Sequence, residues 1–178
     1  MKLIGLAGAP RVGKDTIADY LEERYGYTVT AFAMPLKMAV QNLFGLNCTQ
    51  AFNDTVKEVP VQPWGLTPRE MWCDTADAIK DKFGADFFIK RWQAEIVGEE
   101  YVVVSDVRFE GEAELVRAMG GTIIHVSRHQ APPLVGRIAK HNSNDGISYK
   151  DGDFAILNNG TLDDLMDSVD DLMGMLSD

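Results

Sequence analysis

Cysteine is almost missing from this 178-residue chain. Cys48 and Cys73 stand alone, without C-x-x-C spacing, so neither a disulfide framework nor a thiolate metal site is written in it. No apolar run approaches the ~20 residues of a membrane span. The opening Met1–Gly8 stretch is too short for a signal peptide. Self-similarity at a solenoid period is also lacking. Basic residues stop at Lys150: from Asp151 to Asp178 there are eight Asp and no Lys or Arg, which accounts for most of the net charge of −10. A chain balanced this way has no overall basic footprint for sequence-independent duplex binding. These absences predict a cytoplasmic protein (in the host cytoplasm if the gene is viral) with no membrane partner.

What is present reads as one globular α/β domain. Hydrophobic residues make up 46% and charged residues 25%, ordinary values for a packed protein. Short apolar runs at Leu3–Ala7, Tyr27–Phe32, Tyr101–Ser105, Thr122–Val126 and Phe154–Leu157 predict five strands. Helices are predicted over 14–25, 35–44, from Thr67, from Asp86 to Val97, over 110–119 and from Thr161. Thr67-Pro68-Arg69-Glu70 is a strong helix start, with Thr as cap, Pro first and Glu third. Leu162, Leu165, Val169, Leu172 and Leu176 repeat at helical spacing. Residues 45–66, with Gly45, Pro60, Pro63 and Gly65, read as a loop-rich stretch. Strands alternating with helices predict a parallel sheet covered on both faces, with ligands at the carboxyl ends of the strands.

The first strand runs into Gly8-Ala9-Pro10-Arg11-Val12-Gly13-Lys14-Asp15-Thr16, which fits G-x-x-x-x-G-K. Each residue type has a physical reason. Gly8 and Gly13 let main-chain N–H groups curl round a phosphate without a Cβ in the way. The next helix points its positive end at the anion. Lys14 adds a point charge, and Thr16 adds a hydroxyl for phosphate or Mg²⁺. Asp15 stands where a Ser or Thr often follows the lysine, and Arg11 lies in the same turn. ATP and Mg²⁺ are therefore the expected donor and ion, with Asp15, Thr16 and Asp106 as the oxygen donors near the metal. Asp106 ends the third long strand, where it could hold the ion through water or act as a base toward a hydroxyl acceptor. Arg69 and Arg108 offer guanidinium forks for a second phosphate. Trp64, Trp72, Phe87, Phe88 and Trp92 cluster as either core or base-stacking aromatics. His125 lies in a predicted strand, so with His129 it does not make a helical metal pair.

Beyond the phosphate loop, several stretches taken together resemble the bacteriophage deoxynucleoside monophosphate kinases, a branch of the P-loop nucleotide kinases. They are Phe32-Ala33-x-Pro35-Leu36-Lys37, Thr67-Pro68-Arg69-Glu70, Asp106-x-Arg108, Arg117-Ala118-Met119-Gly120, Ile124-His125-Val126-x-Arg128, and Asp151-Gly152-Asp153 leading to Asn158-x-Gly160. The resemblance implies a P-loop nucleotide-kinase fold: five parallel strands, an acceptor-binding helical insertion at about 33–98 and a short lid at about 127–150. It implies ATP-dependent transfer to a deoxynucleoside monophosphate. On that reading Lys37, Arg69, Trp72 and Arg108 hold the acceptor, Arg128 and Arg137 of the lid neutralise the moving group, and Asn158 and Gly160 lie near the adenine. His141 and Ser143 fall in a family-like stretch without an assigned role. Where relatives tend to carry Gln four residues after the clamp arginine, this chain has Cys73, which removes an amide that could read a base. That change keeps open an alternative acceptor, the hydroxymethyl group of a 5-hydroxymethylpyrimidine, free or in DNA. Other small-molecule kinases, a slowly hydrolysing P-loop binding module and a homodimer are also left open.

Overall fold

A computed structural model describes residues 1–53, 55–129 and 146–176. Strands β1 (Lys2–Ala7), β2 (Thr28–Thr30), β3 (Tyr101–Val107), β4 (Thr122–Ser127) and β5 (Phe154–Leu157) form one all-parallel sheet in the order β2-β3-β1-β4-β5. The period of two sorts β1 between the faces. Ile4 and Leu6 pack with Ile17, Leu21, Leu165 and Val169 of α1 (Lys14–Tyr25) and α7 (Leu162–Met175). Leu3 and Ala7 pack on the other face with Trp92 of α5 (Phe87–Glu95) and Val116 of α6 (Glu110–Ala118). Both faces are thus covered, which explains why β1 and β3 are apolar almost throughout.

Between β2 and β3 the chain also forms α2 (Met34–Phe44), α3 (Cys48–Phe52) and α4 (Pro68–Phe83). These helices and α5 build their own apolar cluster around Leu36, Val40, Met71, Trp72 and Phe88. The expected cap of α4 is present: Thr67 Oγ1 accepts from Glu70 N, and Glu70 Oε2 accepts from Thr67 N.

Three expectations need correction. β2 is shorter than 27–32 because the chain turns at Ala31 so that the amides of Phe32 and Ala33 donate to Asp106. The loop read over 45–66 contains α3, closed by a reciprocal Asn47–Gln50 cap, and a 3₁₀ turn at Val56–Glu58. Asp86 sits at the start of α5 but makes no capping bond, pairing instead with Lys90 at 2.7 Å. The greater part of the stretch read as a lid, including Arg137, His141 and Ser143, lies outside the described residues.

One irregularity matters for function. Gly5 pairs with Val104 and Ala7 with Val107, so β3 carries one extra residue opposite Leu6. Such a bulge re-aims side chains at a sheet edge. Here it holds Ser105 and Asp106, at the end of the sheet where the phosphate loop emerges.

Candidate active site

The turn between β1 and α1 has the geometry its glycines predict. Gly8 has φ +141°, and a Cβ there would lie 2.1 Å from the carbonyl oxygen of Val126. Gly13 has φ +107°, and a Cβ would meet the Asn158 amide at 2.5 Å. Arg11 takes φ +66° without being glycine, a strained conformation of the kind that gathers at ligand-binding turns. Helix α1 starts at Gly13 with no side-chain cap, whereas α3, α4 and α7 are closed by capping side chains. The first-turn amides of α1 are thus left to a ligand, and the helix dipole favours an anion there.

A cavity of 510 Å³ lies over this turn. Among the described residues seven cationic side chains line it, against the carboxylates of Asp15 and Asp106. That excess stands out on a chain of net charge −10 and makes the cleft an attractive field for polyanions. Arg11, Gly13, Lys14, Asp15, Thr16, Asn158 and Gly160 from the donor set all line it, as do Lys37, Arg69, Asp106, Arg108 and Arg128. Gly8 contributes through its carbonyl: Lys14 Nζ donates to Gly8 O at 2.9 Å and Ala9 O at 2.8 Å. Burial, followed by the charge of Arg108, lowers the Lys14 pKa to about 8. Burial also lowers that of Lys37.

A smaller cavity of 120 Å³ shares Lys37, Lys57, Arg69, Asp106 and Arg108 with the larger one. Its remaining walls are mainly apolar, with Phe32, Leu36, Trp72, Phe88 and Phe109. The two spaces therefore meet at a charged seam, polyphosphate-sized on one side and nucleoside-like on the other. Trp72 lines the smaller space and packs in the apolar cluster. Trp92 is core, with its Nε1 donating to Thr30. Trp64 is exposed.

Asp106 is held by two main-chain donors, Phe32 N to Oδ1 at 2.7 Å and Ala33 N to Oδ2 at 3.0 Å. Asn158 is buried and its Nδ2 donates to Val12 O at 2.9 Å, bracing the phosphate turn. Sequence reasoning missed Lys57, which lines both cavities, and Glu58. One oxygen of Glu58 accepts from Arg69 Nε at 2.6 Å and lies 3.5 Å from Arg11. Neither has a local signal, since their roles arise only when the 3₁₀ turn folds over the cleft. Glu112 was missed too, although its place three residues after a strand-to-helix junction could have marked it as a cap.

Behind the site, Arg117 and His125 converge on buried Asp153. Arg117 binds both of its oxygens, at 3.0 and 2.6 Å, and His125 Nε2 lies 2.9 Å from Oδ2. An ionised carboxylate only accepts, so the proton is on His125 Nε2. His129 instead contacts Asn159, so the two histidines do not form a metal pair. Among the described residues no group of three His, Cys, Asp or Glu could hold a metal, and no helix is long and apolar enough to cross a membrane.

The fold and this site define a P-loop phosphotransferase. A shikimate kinase from Aquifex aeolicus vf5 superposes with a TM-score of 0.50 over 98% of both chains, at 13% identity. The sequence pattern of the deoxynucleotide monophosphate kinase family matches residues 71–169, a stretch that excludes the phosphate loop and so adds independent support. The chain belongs to the deoxynucleotide monophosphate kinase family. A protein of Acanthamoeba polyphaga mimivirus whose name places it in the same family is 32% identical, over 95% of this chain and 94% of its own length. The deoxynucleotide monophosphate kinase of Enterobacteria phage T4 is 25% identical, over 99% of this chain and all of its own.

Proposed function

We propose that this protein transfers the γ-phosphoryl group of ATP to a deoxynucleoside monophosphate, giving ADP and the diphosphate. The observation that carries this reading is the shared seam of Lys37, Lys57, Arg69 and Arg108 between the two cavities. With a triphosphate in the α1 turn and a nucleoside in the apolar space, this seam is where two phosphates would meet. Arg69 and Arg108 would hold the acceptor phosphate in guanidinium forks. The amides around Gly13 and the Lys14 ammonium would hold the β and γ oxygens, with Arg128 and, outside the described residues, Arg137 against the transferred group. An acceptor oxygen attacks γ-phosphorus as the bond to the ADP oxygen breaks. The acceptor phosphate is already ionised and needs no base, so positioning and charge supply the rate.

The residues present fit a magnesium ion. Asp15 and Thr16 present hard oxygen donors to the cleft, and Asp106 keeps lone pairs beyond its two amide bonds, enough to reach a hydrated ion. When bound, the ion supplies neutralisation of charge on the β and γ oxygens.

Asp106 also bears on the hydroxymethyl alternative. Each of its oxygens already accepts a main-chain amide, so taking a proton from a hydroxyl would compete with those bonds. The narrow acceptor cavity between helices likewise suits a free nucleotide better than DNA.

The test is ADP formation from ATP and Mg²⁺ with each dNMP, and with none. ADP is expected with at least one dNMP and only at background without acceptor. Background turnover with every common and 5-hydroxymethylated dNMP would overturn the reading, and equal turnover without acceptor would point to a hydrolytic binding module.

A further inference from the structure

The charged seam fixes which end of the acceptor cavity takes phosphate. Among the described residues, only two charged side chains line that cavity without also lining the larger one, Glu112 and Lys80. Glu112 is 7% exposed. Its Oε2 accepts from Arg108 N at 2.8 Å and Phe109 N at 3.1 Å, which uses both lone pairs of that oxygen. Among the described residues Oε1 has no hydrogen-bond partner. A cap needs one carboxylate oxygen, so the second is an acceptor on the cavity wall that the fold itself does not use. Lys80 supplies a cation in the same space, its Nζ 3.9 Å from the centre of the Phe109 ring. Trp72 adds a buried Nε1 that also lacks a partner among the described residues. An apolar slot thus carries one free carboxylate oxygen and two kinds of donor on walls that the larger cavity does not share.

We propose that Glu112 reads the base of the acceptor, its Oε1 accepting N–H groups from the base edge, and that this favours guanine. The inference rests on the reading of the chain as a dNMP kinase. Guanine presents N1–H and N2–H side by side, which one carboxylate oxygen with two lone pairs can accept together, with O6 next to them for a donor such as Lys80 or Trp72. The other three bases each offer a single N–H-bearing nitrogen on that edge. A site built around a donor–acceptor match discriminates because the mismatched base leaves a buried group unpaired. Asp106 also keeps acceptor capacity but lines the phosphate cleft as well, so Glu112 is the carboxylate that lines the acceptor cavity alone.

The experiment is kcat/KM for dGMP, dAMP, dCMP and dTMP with wild type and Glu112→Gln. Gln keeps an amide oxygen for the Arg108 and Phe109 amides and turns the other position from acceptor to donor. Wild type should prefer dGMP over dAMP and dCMP. The variant should lose about 10- to 100-fold on dGMP, mainly through KM, and less than about threefold on dAMP and dCMP. A parallel fall on all four would assign Glu112 to capping alone and overturn the proposal, as would no change on dGMP. As a check independent of the variant's folding, wild type should use dIMP, which lacks the 2-amino group, several-fold less well than dGMP; equal use would also overturn it. If no dNMP is a substrate, the functional reading itself fails, and that result is distinct from a uniform loss in the variant.

Discussion

Replacing Lys14 with Met is expected to abolish phosphoryl transfer while leaving the protein folded. The ammonium is the cation held inside the phosphate turn, 2.8–2.9 Å from two of its carbonyls. Removing a charge aimed at developing oxygen charge typically costs ~10²–10³ in rate, and here ground-state binding of the triphosphate goes with it, so the loss in kcat/KM should reach ~10³ or more. Stability should move the other way or not at all. Burial and Arg108 lower the Lys14 pKa from 10.5 to about 8. For a base lowered in this way the folded state binds fewer protons than the unfolded one between pH 8 and 10.5. Its cost is therefore present in full below pH 8 and is relieved as pH rises through that window. Met removes the cost, ~3 kcal/mol at most, and gives up two hydrogen bonds of ~1 kcal/mol each. The nucleotide-free variant should melt at or above the wild-type temperature at pH 7. Substantial residual kinase activity, or a collapse in melting temperature, would show that Lys14 is structural.

Asp153→Ala is expected to be the most damaging single change to stability outside the apolar core. Its side chain is 2% exposed and carries Arg117, His125 and the amide of Lys150. Burial by itself would raise the Asp153 pKa, but the bonds from Arg117 and His125 outweigh it and hold the carboxyl well below the usual range. Truncation strands Arg117, whose Nη1 is already buried without a partner among the described residues. Breaking a buried pair costs ~3–5 kcal/mol, here nearer the low end because Arg117 and His125 are each nearly a fifth exposed. At this size that is a fall of roughly 6–12 °C in Tm. A lowered carboxylate stabilises above its unfolded pKa of ~3.9, and that stabilisation is lost as pH falls toward the folded value. The gap between wild type and variant should thus be full at pH 7 and shrink below about pH 4. Exposed Asp151, mutated to Ala, should change stability by less than ~0.5 kcal/mol. A similar melting temperature for Asp153→Ala and wild type would remove the cluster from the account.

The parts legible in the sequence were those whose physics is local. The turn Gly8–Thr16, the cap Thr67–Glu70 and the alternation in β1 are each set by residues a few positions apart. The short helix α3 was missed although Asn47 and Gln50 cap it, because five residues give no periodicity to read. Asp86 resembled a cap, yet Lys90 four residues on captured its carboxylate. Asn158 was placed near the adenine from its position after β5, and only the fold shows its amide bonded to Val12, across most of the chain. Lys57 and Glu58 share the 3₁₀ turn while Lys80 lies on α4 and Glu112 on α6, and nothing in the spacing of these three elements says that they come together around the two cavities. The acceptor half was harder to read because it is assembled from α2, α4, α6 and the 3₁₀ turn, whereas the donor half is one continuous loop.

The central claim is that triphosphate and acceptor phosphate meet at the seam between the two cavities. A crystal structure with a non-hydrolysable ATP analogue and a dNMP tests it most directly. The account predicts the β-phosphate about 3 Å from the amides of Gly13–Thr16 and from Lys14 Nζ, the monophosphate between Arg69 and Arg108, and the base against Trp72. A triphosphate bound away from that turn, or a monophosphate that touches neither arginine, would contradict it.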